Sequence, residues 1–182
     1  MNAATPAATA TGARNIAVLI AGVGNIFAGD DGFGVEVARR LGERELPPGA
    51  RVVDFGIRSV DLSYALQDEC DAVVLVDAAA RGGSPGTIYV IEPGSGAAAE
   101  NAAGAASGIP LMHALNPETV LRMLAAGPAR CRRAVIVGCE PQTVGDDADV
   151  TVGLSAPVAQ ALERAVEVVE QVVMQMLGEG EH

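Results

Sequence analysis

The sequence predicts an α/β fold: a three-layer αβα sandwich on a mixed, mostly parallel five-stranded sheet. Three observations carry that expectation. Short β-branched runs alternate with helical patterns along the chain, the order expected when helices cover both faces of a sheet. Two of the runs, "AVVLVDA" (72–78) and "AVIVG" (134–138), have almost no polar positions and read as strands buried on both sides. Between Ala78 and Gly86 the link is too short for a helical crossover, so the strand after it is expected to run antiparallel.

The elements follow in order. An apolar run over 15–21 is the first strand. Residues 31–45 place Phe33, Val37, Ala38 and Leu41 on one helical face. "RVVDFG" (51–56) is a short β-branched strand, and 59–69 is a shorter helix. The third strand is 72–78, and "GTIYVIE" (86–92) is a fourth that alternates more. "NPETVLRMLAAG" (116–127) has Asn116 as N-cap, Pro117 in the first helical position and Gly127 as the stop. The fifth strand is 134–138. A last helix over 155–177 stacks Val158, Leu162, Ala165, Val169, Val172 and Met176 as a core stripe.

This organisation gives one domain over 14–177, with no repeat and no second domain. Residues 1–13 are small and polar, without the basic and apolar regions of a secretory signal; they are expected to be a disordered tail on a cytoplasmic protein. Residues 178–182 are expected to fray. The stretch 94–108 is nearly all alanine, glycine and serine and reads as a flexible surface loop.

Composition excludes several functions. A net charge of -11 disfavours nucleic acid and anionic lipid as partners, and no apolar stretch is long enough to span a bilayer. All 12 basic residues are arginine. Without lysine there is no Schiff-base chemistry and no Walker-type phosphate loop. Cys70, Cys131 and Cys139 fit no zinc-finger or CxxC spacing and read as small buried thiols.

The segment "GVGNIFAGDDGFGVEVARRL" (22–41) looks at first like a nucleotide loop. Gly22 and Gly24 fit a dinucleotide fingerprint, but Phe27 stands where the third glycine belongs. Asp30 and Asp31 would also repel a phosphate. The glycines suit a tight turn and a close backbone approach, and Asn25 can tie the turn through its side chain. Asp30 reads as the N-cap of the next helix, with Asp31 in its first turn.

Asp31 follows the first strand, Asp54 closes the second and Asp77 closes the third. In a parallel sheet all three lie at the carboxyl edge, where open α/β sheets bind ligands. Gathered like charges raise a pKa or recruit a cation. His113 precedes the capped helix at 116; beside two carboxylates it becomes a candidate metal ligand. Two aspartates and a histidine form an oxygen–nitrogen donor set with open positions for water or substrate.

Four blocks in this order resemble the NiFe-hydrogenase maturation endopeptidases: "GVGNIFAGDDGFGVEVARRL", "VVLVDAAARGGSPGTIYVIEP", "HALNPETVLRML" and "VIVGCEPQTV". The resemblance covers about residues 14–177. It implies a phosphorylase/hydrolase-like α/β sandwich and an endopeptidase of the aspartic type. The substrate it implies is the precursor of a hydrogenase large subunit, whose C-terminal extension is removed after nickel insertion. The metal contacts it implies are Asp31, Asp77 and His113, with Asp31 and Asp77 also catalytic. Gly24, Asn25, Asp54 and Gly56 are implied substrate contacts, the glycines allowing a foreign chain to approach. The nickel is supplied largely by the substrate, and other divalent metals can substitute. A departure is "DFG" at 54–56, where the family often has "DGG"; Phe55 is expected to put bulk near the cleft. A non-catalytic, nickel-dependent checkpoint module with the same triad is the alternative.

Overall fold

The structure is a computed structural model that describes residues 17–68, 70–92, 131–143 and 150–179. The helix expected over 116–127, the loop 94–108, the tail 1–13 and His113 lie outside the described residues. Five strands form a single sheet: β1 (Val18–Val23), β2 (Ala50–Gly56), β3 (Ala72–Ala78), β4 (Ile88–Ile91) and β5 (Arg133–Cys139). Their order is β2-β1-β3-β5-β4. Neighbours are parallel except β4, which runs antiparallel to β5 with Ile88 opposite Cys139. The mixed sheet expected from the short 78–86 link is therefore present.

Side chains alternate across the central strands and feed two cores. Val18 and Ile20 of β1, Val74 and Val76 of β3, and Val135 and Val137 of β5 face one side. Helices α1 (Phe33–Gly42) and α3 (Ala156–Gly178) cover them. Leu19, Ala21, Val73, Leu75 and Ile136 face the other side, under helix α2 (Ser59–Asp68). That is the three-layer arrangement. Phe33, Val37 and Leu41 are fully buried, each stabilising by about 1.5–3 kcal/mol relative to exposure.

The boundaries differ in ways the packing explains. β1 begins at Val18 and runs on to Val23, because the turn glycines extend its pairing to Gly56. α1 starts at Phe33, after a one-turn 3-10 segment, Asp30–Gly32. On α3 the apolar face is wider than the expected stripe: Val166, Val168 and Val173 are buried as well, and Val172 is only partly so. This helix packs against both the sheet and α1, so a single narrow stripe does not suffice.

Candidate functional site

Four parallel strands end along one edge, at Val23, Gly56, Ala78 and Cys139. The chain leaves β1 for α1 on one face and leaves β2 for α2 on the other. The direction of winding therefore reverses between β1 and β3, and a crevice opens at such a switch point. Asp31 lies in the loop that leaves β1 and Asp77 is the penultimate residue of β3, so the two come from the strands on either side of the switch point. Asp54 is close in register, since Gly22 pairs with both Asp54 and Val76.

The loop from Gly24 to Gly32 is built to carry Asp31. Gly24 has φ of 127°, and a Cβ there would sit 1.8 Å from the Asp31 carbonyl oxygen. Only glycine fits. Its N–H donates to Gly56 O at 3.0 Å, joining the ends of β1 and β2. The Asn25 side-chain oxygen accepts from Phe27 N–H at 3.0 Å, the side-chain tie expected there. The Asn25 N–H donates to Asp31 Oδ2 at 2.7 Å, which fixes that carboxylate. The side of Gly24 where a side chain would stand is thus taken up by the Asp31 backbone.

Asp30 is not a helix cap. The residue before α1 is Gly32, with no side-chain cap bond. The Asp30 carboxylate is fully buried and accepts from distant partners. Gln142 N–H (2.8 Å), Thr143 N–H (3.0 Å) and the Ser155 hydroxyl (2.9 Å) reach Oδ2, and Ser155 N–H (2.7 Å) reaches Oδ1. Burial alone would raise its pKa. The amides of Thr143 and Ser155, the Ser155 hydroxyl and the Gln142 amide outweigh burial and hold it below the usual carboxylate range.

Asp31 and Asp77 are both buried, at 7% and 5% exposure. Asp77 Oδ1 accepts the Ala78 N–H at 2.8 Å. Asp54 is exposed, and its carbonyl accepts from the Arg58 guanidinium. Phe55 does not crowd the cleft as its bulk suggested: it alternates to the opposite face and is buried among Leu62 and Leu66. Gly56 takes φ of 52° beside the Asp54 carboxylate. Among the described residues, no three histidine, cysteine or acidic side chains are grouped to hold a metal; His113, the third expected ligand, lies outside them.

Two functional-edge residues escaped sequence reasoning: Asp30, in its role as a clamp, and Glu140. Glu140 sits one residue past β5, buried, and accepts from Arg81 N–H (2.8 Å), Gly82 N–H (3.1 Å) and the Tyr89 hydroxyl (2.7 Å). Burial would raise its pKa, but the Tyr89 hydroxyl and the amides of Arg81, Gly83 and Gly82 hold it low. Nothing local in "GCEPQT" marks that role, because the partners lie more than 50 residues upstream. Cys139 is no nucleophile in this arrangement. It is fully buried, and burial, with the charges of Asp30 and Glu140, pushes its thiol up to about 12, leaving little thiolate at neutral pH.

With this geometry in hand, comparison with known proteins gives a consistent result. The profile of the hydrogenase maturation protease family matches residues 35–172. The hydrogenase expression/formation protein HoxM of Azotobacter vinelandii is 29% identical over 152 residues, covering 83% of this chain and 69% of its own. The coenzyme F420 hydrogenase subunit delta of Methanothermobacter thermautotrophicus is 29% identical over 160 residues, covering 84% and 91%. The hydrogenase maturating endopeptidase HybD from E. coli superposes with a TM-score of 0.71 at 23% identity, over 88% of this chain and 94% of that one, a likeness of fold. The chain belongs to the hydrogenase maturation protease family, and its class of activity is peptide-bond hydrolysis in hydrogenase maturation. No helix among the described residues is long and apolar enough to cross a membrane.

Proposed function

We propose that this protein is a cytoplasmic endopeptidase acting on the precursor of a NiFe-hydrogenase large subunit. It removes the C-terminal extension once nickel is in place, and so activates the hydrogenase. Asp31, Asp77 and His113 engage the nickel carried by the substrate, with Gly24, Asn25, Asp54 and Gly56 around the incoming chain. The observation that carries this reading is the placement of Asp31 and Asp77 on either side of the switch point, each pinned through a backbone N–H. Two oriented carboxylates supply hard oxygen donors to an ion arriving on another protein, and an incomplete shell makes binding conditional on that ion. Other divalent ions fit the same donors.

The nickel is substrate here, so its presence reports that the precursor is ready. Asp31 or Asp77 acts as the base on water, or the ion polarises the scissile carbonyl. A thiol route is disfavoured by the state of Cys139. Exposed Ile26, Phe27 and Ile57 on the loops of this edge suit a polypeptide substrate rather than a small polar one.

A second reading, a nickel-dependent checkpoint module that binds without cutting, draws on the relative named as a hydrogenase subunit. Mass spectrometry of nickel-loaded precursor incubated with the protein separates the two. Loss of the C-terminal extension is expected. An intact precursor held in a stable complex would overturn the protease reading in favour of the second.

A further inference from the structure

The two buried carboxylates that sequence reasoning missed share one piece of backbone. Glu140 and the pair Gln142–Thr143 lie within five residues, Cys139–Thr143. Upstream of Glu140, this segment grips the loop that follows Asp77. The Ala79 N–H donates to Cys139 O at 2.8 Å, the Glu140 N–H to Thr87 O at 2.8 Å, and the Gly86 N–H to Glu140 O at 2.8 Å. The Glu140 side chain adds Arg81, Gly82 and Tyr89. Downstream, the amides of Gln142 and Thr143 end on Asp30, next to Asp31.

We propose that Asp30 and Glu140 are positioning residues, which use the Cys139–Thr143 segment as a yoke to set Asp31 and Asp77 relative to each other. The inference rests on the reading above for what those two aspartates do.

The local geometry explains why such a device is needed. Asp30 and Asp31 are consecutive in a 3-10 turn, where successive side chains point about 120° apart. Anchoring Asp30 holds the turn they share, and so fixes the direction in which the Asp31 side chain leaves the backbone. No side chain caps that turn, and it is entered through Gly29 at φ 63°, a permissive joint. The clamp on Asp30 supplies what the missing cap does not. Ser155 and the main-chain bonds between Thr151 and residues Phe27 and Gly29 hold the turn from a third side. At the other end the Asp77 carboxylate accepts the amide of the next residue, Ala78. That amide belongs to the last residue of β3, which pairs with Cys139, the first residue of the yoke.

Backbone amide NMR on the full-length protein tests this without any substrate. Glu140→Gln is expected to shift the amides of Asn25 and Asp31, and Asp30→Asn to shift those of Asp77, Ala78 and Gly82. Should Asp30→Asn fail to fold, Ser155→Ala and Tyr89→Phe each remove a single donor and are expected to give the same reciprocal pattern at smaller size. Shifts confined to the loop that carries the mutation would overturn the proposal. In the processing assay, Glu140→Gln is expected to lower kcat about tenfold or more with little change in KM, since misplacement by a fraction of an ångström is costly. The double variant is expected to be little worse than the worse single. A loss of kcat matching only the unfolded fraction, or additive losses, would also overturn it. Failure of the wild type to cut any precursor would reject the protease reading but leave the NMR result to stand or fall by itself.

Discussion

Gly34→Ala isolates a close backbone contact between α1 and the strand ends that carry the site. Gly34 lies in the first turn of α1. A methyl group there would sit 2.0 Å from Val76 O, 2.4 Å from Val23 O and 2.8 Å from Val76 C. All three atoms are main chain, at the ends of β3 and β1, so neither obstacle can rotate away. The helix must retreat by about 1 Å or more, from a packed core that resists it. Two effects compete. Alanine gains about 0.5–1 kcal/mol over glycine in a helix, whereas overpacking costs about 1–3 kcal/mol. An obstacle of rigid backbone puts the cost at the upper end, so the net loss is about 2 kcal/mol, or about 4–8 °C in Tm. Gly42→Ala is the matched control. It ends the same helix, is exposed, and its added methyl meets only Val52 Cγ1 at 4.0 Å; it is expected to be neutral or stabilising by up to about 1 kcal/mol. Urea denaturation of the three proteins reads both numbers. Equal stability of Gly34→Ala and wild type, or equal loss in the two variants, would refute the packing argument.

Asp31→Asn and Asp77→Asn keep an acceptor oxygen for the Asn25 and Ala78 amides, so melts should stay near wild type; precursor processing should fall about 100-fold or more. His113→Ala should do the same in the processing assay, and normal processing in all three variants would reject the site. Glu140 has its carboxyl held below the usual range, so its contribution is complete above the unfolded pKa of about 4.3 and is lost as pH falls through the folded value. Melts of Glu140→Gln should therefore lose less stability than wild type below about pH 4, and parallel acid profiles would contradict this. Cys70, Cys131 and Cys139 are buried and should resist iodoacetamide at pH 8 until urea is added. Rapid native labelling of Cys139, read by peptide mass, would mean that the edge opens.

The sequence made the core legible because its strands are buried on both faces. Runs such as 72–78 need no partner to be recognised, and the short link after Ala78 set the direction of β4 by distance alone. Asp31, Asp54 and Asp77 could be placed at one edge by counting from strand ends. What stayed hidden depends on residues far apart in the chain. Asp30 looked like a cap because the cap rule is local, while its partners are 112–125 residues away. Glu140 carried no local signal for the same reason, its partner Arg81 lying 59 residues upstream. Gly22 and Gly24 were recognised as sites of close approach, but sequence cannot say what approaches; Gly24 is met by Asp31 and Gly22 by Gly34. Phe55 followed the simple period-2 alternation into the core, a rule that was available and was outweighed by comparison with a "DGG" pattern.

Cutting is expected to be conditional on nickel borne by the substrate. The direct measurement incubates the protein with two preparations of one large-subunit precursor, nickel-loaded and nickel-free, and weighs the products over time. Loss of the C-terminal extension is expected from the loaded precursor only, with the nickel-free form left intact. Equal cleavage of both preparations would contradict it.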